Sequence, residues 1–202
     1  MQMRITKFGE EILTKVAEEV DIFDGELEEL ANSMFETMCN ENGLGLAAPQ
    51  VGVSKRMFVI DMRRRADENS ECNFTLDGRY VPLELAMPLV AINPVVENAG
   101  NYVETAEEGC LSFPGIYDEI ERFYKVRLEY TDLHGIKHEI VCDGLFARCV
   151  QHENDHLDGI TLVDKLTPKQ LKKHEVKLKQ LKRQSRDELK AAKSEAKAAK
   201  KQ

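Results

Sequence analysis

Apolar positions follow two rhythms along this chain, one near 3.6 residues and one near 2. Leu27, Leu30, Ala31, Met34, Phe35, Met38 and Cys39 recur at helical spacing behind Asp24, a residue suited to accept from the first free N–H groups of a helix. Asn40 to Gly43 should end that helix and lead into the glycine-containing run Gly43 to Gln50. Strands are predicted at Met57 to Met62, around Leu89 to Val96 and at Tyr102 to Val103. Strict alternation at Val126, Leu128 and Tyr130, and again at Ile136, His138, Ile140 and Cys142, predicts a hairpin that turns at Asp132 to Gly135. Asp143 is then expected to cap a second helix running through Leu145, Phe146, Cys149 and Val150 to His152, Glu153 and His156. From Pro168 a Lys-, Ala- and Leu-rich segment predicts a long terminal helix fraying toward Gln202. Arg63 to Leu85 shows no period and reads as a mobile surface insertion. The sum is an α+β fold, with mixed or antiparallel sheets packed around a central HExxH helix. A catalytic domain is expected over residues 1–166, with the insertion at 63–85, and a basic helical extension over 167–202.

Composition narrows the setting. Hydrophobic residues make up 42% and charged residues 32%, without the run of about 18 apolar residues that a bilayer span needs, so no membrane contact is expected. The segment MQMRITKFGEEILTKVAEEV lacks the apolar run of a secretory signal and carries acids that a transit peptide avoids, which points to the cytoplasm. Five cysteines, Cys39, Cys72, Cys110, Cys142 and Cys149, show no CxxC pairing and suit a reducing compartment. The net charge of -8 divides unevenly: 14 Lys/Arg against 4 Asp/Glu from Lys165 to Gln202 give +10, leaving -18 on residues 1–164. No DNA partner is expected.

The chemistry concentrates in His152-Glu-Asn-Asp-His156. Two imidazoles four residues apart share a helix face and can reach one metal ion, with Glu153 beside them to move a water's proton. His134, His138 and His174 fall in a turn, a strand and the basic tail, where structural or solvated roles are expected. A catalytic ion needs a third protein ligand and an open position. A metzincin extension fails because Leu162 stands where its third histidine belongs. Glu175 lies at a thermolysin-like distance but within the lysine-rich tail, and Cys110, in the tight segment Gly109 to Pro114, ranks first. Gly43-Leu-Gly45 fits neither a dinucleotide nor a P-loop pattern. It is either a plain turn or a place where an extended peptide approaches the backbone, with Gln50 offering an amide to a developing oxyanion.

Taken in order, Gly43-Leu-Gly-Leu-Ala-Ala-Pro-Gln50, Glu108-Gly-Cys-Leu-Ser112 and Gln151-His-Glu-Asn-Asp-His156 resemble the three motifs of peptide deformylases, over about Ile5 to Leu181. The resemblance implies removal of the N-formyl group from formyl-methionyl nascent polypeptides, with release of formate. It implies that Cys110, His152 and His156 hold one divalent ion, typically Fe(II), with Zn, Ni or Co as replacements. Glu153 would be the acid/base, and Gln50 and the N–H of Leu111 would stabilise the oxyanion. Substrate would lie against Gly43, Leu44 and Gly45, with its methionine near Ala106, Leu145, Arg148 and Cys149 together with His152, the charged head of Arg148 turned away. Glu108 and Arg122 would brace the metal loop, against the alternative of an ordinary surface ion pair. The family also implies ribosome contact through the basic C-terminal helix, here through Lys169, Lys172, Lys173, Lys177 and Lys179.

Overall fold

A computed structural model describes residues 2–65 and 73–199. The first helix, α1, runs Gly25–Asn40, and the Asp24 carboxylate accepts from Leu27 N at 3.1 Å as the capping pattern requires. Short strands β1 (Gly45–Ala47) and β2 (Met57–Ile60) follow, then β3 (Phe74–Leu76), β4 (Arg79–Tyr80) and one helical turn, α2 (Leu83–Ala86). Next come β5 (Leu89–Asn98), β6 (Val103–Gly109), β7 (Tyr117–Phe123), β8 (Lys125–Thr131) and β9 (Lys137–Asp143). The chain closes with α3 (Gly144–Leu157) and α4 (Pro168–Ala199).

Seven strands form one antiparallel sheet in the order β1-β2-β5-β8-β9-β3-β4, and β6 and β7 form a separate hairpin. Strand β2 is apolar throughout because helices cover both faces of the sheet there. Phe58 and Ile60 join Phe146, Ala147 and Val150 of α3, while Met57 and Val59 join Leu27, Ala31 and Met34 of α1. The helix with the HExxH spacing is thus packed against the sheet's core, as its pattern implied. A bulge in β5 falls at Asn93, whose φ of 48° suits asparagine; its amide clasps Val20 N and Val20 O at 2.8 Å each and ties the N-terminal segment to the sheet.

Two expectations are corrected. Within Arg63 to Leu85, the described part is not a plain loop: β3 pairs with β9 and extends the sheet, and Phe74 packs edge-on against Phe146 at 5.7 Å. Strands of three and two residues are too short to show a period, which hid them. The insertion's residues 66–72, Cys72 among them, lie outside the described residues, as do 200–202 at the expected frayed end. Asp143 makes no side-chain cap; it ends β9 opposite Lys125, and α3 starts at Gly144 with a φ of 57°. Strand β7 is an addition that the pattern did not announce, because two of its inward residues, Asp118 and Arg122, are charged.

A third apolar cluster joins Phe113, Ile116 and Ile120 to Leu162, Leu166 and Leu181, so the first half of α4 is seated on the body. Asp118 anchors that seat, accepting from Gln170 Nε2 at 2.9 Å, Lys173 Nζ at 3.0 Å and His174 Nε2 at 2.7 Å. His138 is likewise structural, its ring held between Asp77 and Asp132, and His134 is exposed.

Candidate metal centre

Helix α3 presents His152, Glu153 and His156 toward the end of β6, where Cys110 begins a tight turn closed by Phe113 N donating to Cys110 O at 2.9 Å. Cys110 Sγ lies 3.3 Å from His156 Nε2, and one donor atom from each of Cys110, His152 and His156 falls within 4.8 Å of the others. The Nδ1–H of His152 donates to Glu108 Oε2 at 3.0 Å, which leaves Nε2 free to face an ion. The set fits a metal chemically, since a thiolate and two imidazoles match a borderline-soft divalent cation. Two buried polar atoms beside it, Glu153 Oε2 and His156 Nδ1, have no partner among the described residues. Of the other third-ligand candidates, Glu175 points to Lys179 on the outside of α4 and Leu162 is core.

Protonation follows from the packing. Burial works against a Cys110 thiolate, but the charges and hydrogen bonds of His156 and His152 outweigh it and hold the thiol well below its usual range. Burial lowers His152, yet hydrogen bonds to Cys110 and Glu108 raise it well above the ordinary imidazole value. Burial pushes the Glu153 carboxyl up to about 7, against the lowering influence of His152 and His156, and so suits it to take and return a proton near neutrality. Glu108 keeps its charge despite burial, because His152 and Arg122 hold it well below the carboxylate range.

Glu108 is the junction beneath the site. Arg122 grips it with Nε on Oε1 at 2.9 Å and Nη2 on Oε2 at 3.0 Å, and also pairs with Asp155 of α3. The alternative of a surface ion pair is excluded, since both side chains are about 5% exposed. Arg148 corrects a further expectation: its head does not turn outward but donates to Glu108 Oε1, Ile120 O and Glu104 O, each at 2.8 Å. A carboxylate and two carbonyls replace the water that its guanidinium gives up.

A cavity of about 650 Å³ opens over the centre. Gly43, Leu44 and Gly45 form one wall, Leu145 and Cys149 line the α3 side, and Gln50 and Leu111 flank Cys110. Ala106 is not part of the wall, although it shares its face of β6 with Glu108. The Gln50 amide is oriented by Ala47 N, which donates to Oε1 at 2.7 Å; its Nε2 stands 3.5 Å from both Cys110 Sγ and Ser112 Oγ. Gly45 has a reason besides peptide access: a Cβ there would fall 2.5 Å from Glu153 Oε1 and 2.7 Å from its Cγ. Lys7 and Tyr117 also line the cavity, and neither belongs to a motif. Only pairing could have found Tyr117, which lies opposite Gly109 and covers it with its ring.

A family model described as polypeptide deformylase matches residues 2–172. A peptide deformylase from Opitutus terrae is 40% identical over 172 residues, covering 84% of this chain and 87% of that protein. The crystal structure of the Thermotoga maritima peptide deformylase aligns with a TM-score of 0.69 at 38% identity, over 83% of this chain and 99% of that one. A Synechococcus elongatus peptide deformylase in complex with actinonin aligns with a TM-score of 0.71 at 36% identity, over 89% of this chain and 85% of that one.

The crowding at Gly45 sets an expected outcome. Gly45→Ala should displace the Glu153 carboxylate and lower turnover of a formyl-methionyl peptide by at least about tenfold. The melting temperature should fall by less than about 5 °C, because the crowding is with the Glu153 side chain and not with backbone. Steady-state kinetics beside a thermal melt check this, and wild-type turnover would contradict it.

Proposed function

The chain belongs to the polypeptide deformylase family, and on that premise we propose that Cys110, His152 and His156 hold one divalent ion while Glu153, Gln50 and Leu111 carry out the proton transfer and charge stabilisation. The activity is the family's: a metal-dependent hydrolase removes the N-formyl group from the N-terminal formylmethionine of newly synthesised polypeptides and releases formate. When bound, the ion supplies Lewis-acid polarisation and makes water more acidic.

The chain's own groups supply the rest. Glu153, which lines the cavity and whose carboxyl is pushed up to about 7 with Oε2 unpartnered among the described residues, takes the proton of the attacking water and returns it to the amide nitrogen as the C–N bond breaks. The Gln50 amide and the Leu111 N–H donate to the oxygen that gains charge. Gly43 to Gly45, at the start of β1, offer backbone to the peptide, and Leu145 and Cys149 offer apolar surface to its methionine. Glu108 and Arg122 hold His152 in orientation. For the ion we propose Fe(II), with Zn, Ni or Co as replacements; the donor set suits each of them.

The observation that carries this reading is the meeting of Cys110 with His156 at 3.3 Å, beside a buried Glu153, from segments 46 residues apart. Metal-replete protein should release formate from formyl-Met-Ala-Ser, and Glu153→Gln should lower kcat by about 1000-fold or more. An active Glu153→Gln protein rejects the mechanism.

We further propose a cytoplasmic setting, a 1–166 catalytic unit and ribosome contact through 167–202. Of the five tail lysines, Lys173 and Lys179 are engaged by Asp118 and Glu175, which leaves Lys169, Lys172 and Lys177 without a carboxylate partner among the described residues. Among the described residues no helix is long and apolar enough to cross a membrane. Deleting the tail would expose the seat of Leu181, so charge removal is the cleaner test. Changing Lys169, Lys172 and Lys177 together to Gln should abolish salt-sensitive cosedimentation with ribosomes and leave formate release intact; unchanged cosedimentation rejects the contact.

A further inference from the structure

Lys7 stands in the cavity wall beside Leu111, Gln50 and Gly115, outside every motif, and no carboxylate pairs with its ammonium among the described residues. Its Nζ donates to the Leu111 carbonyl at 3.0 Å across 104 residues of sequence. The backbone beneath it is held on every side. Lys7 N donates to Glu10 Oε1 at 2.7 Å, and Arg4 clamps the same carboxylate with Nη1 at 2.9 Å and Nη2 at 2.5 Å. On one flank Thr6 N donates to Gln50 O at 2.8 Å, and Thr6 Oγ1 donates to Pro49 O at 3.0 Å. On the other flank Phe8 N donates to Ser112 O at 3.0 Å.

Residues 6–8 therefore splice the segment that carries Gln50 to the segment that carries Cys110, Leu111 and Ser112. Two donors stabilise a developing charge only if they are already aimed at one oxygen. The Gln50 amide is aimed by Ala47, but Leu111 lies in a turn outside both sheets, and Lys7 is the donor that its carbonyl finds.

We propose that Lys7 is a positioning residue for deformylation, holding the Leu111 carbonyl so that the Leu111 N–H and the Gln50 amide converge on the oxyanion. This rests on the oxyanion role given to those two groups above. The ammonium touches no reacting atom; it fixes the main chain that does. Because the lysine backbone is already anchored by Glu10 and by both neighbours, only side-chain freedom is lost in holding the ammonium there.

The test is steady-state kinetics on formyl-Met-Ala-Ser with metal-replete Lys7→Met, Lys7→Gln, Lys7→Arg and Glu153→Gln, each with a thermal melt. Both neutral variants should lose about tenfold in kcat with KM within about twofold of wild type, and Lys7→Arg, which keeps a charged donor, should recover to within about threefold. Wild-type kcat in both neutral variants, with Glu153→Gln inactive, overturns the role of Lys7 alone. A rise in KM at unchanged kcat also overturns it, because Lys7 would then be contacting the peptide. An active Glu153→Gln protein instead overturns the mechanism on which the inference rests.

Discussion

A single buried carboxylate, that of Glu108, joins the parts of this molecule that must stay in register. It accepts from Arg122 on β7, from Arg148 on α3 and from His152, the first of the helix's two imidazoles. Taking such a charge out of water costs several kcal/mol, and only a full set of partners offsets it. Here the set is full. Two guanidinium groups and an imidazole surround the carboxylate, and Arg122 reaches on to Asp155, one residue before the second imidazole. The arrangement orients more than it stabilises: α3, β6 and β7 can approach only where these donors meet their acceptors.

The centre above Glu108 depends on close approach as well as charge. Glu153 is almost wholly buried, and its carboxylate fits because Gly45 on β1 has no side chain to oppose it. Burial in turn places its protonation near neutrality. The same edge strand thus shapes the cavity and tunes the acid/base. Along another part of the rim the N-terminal segment links the Gln50 and Cys110 segments, through main-chain bonds from Thr6 and Phe8.

Legibility in the sequence followed physical kind. Regular spacing was readable: the α1 stripe and its Asp24 cap, the β8–β9 alternation and the His152/His156 pair all reappear in the structure. Charged residues that face inward were not. Asp118 and Arg122 break the alternation of β7, and Arg148 looks like a solvent residue until its three acceptors come from elements far away in sequence. Cys110 illustrates the middle case. Spacing alone ranked it first among three candidates, three ordered motifs raised it further, and the fold sets its sulfur beside His156. Lys7 had no local signal, since its only distinction is a bond to Leu111 across the molecule.

The proposed chemistry turns on one ion held by Cys110, His152 and His156. The direct measurement is metal content per chain after anaerobic purification, with formate release followed on the same samples. The expected result is about one equivalent of divalent metal, mainly iron, in the wild type, and loss of both metal and activity in Cys110→Ala. A Cys110→Ala protein that kept a full equivalent of metal and its activity would contradict the account.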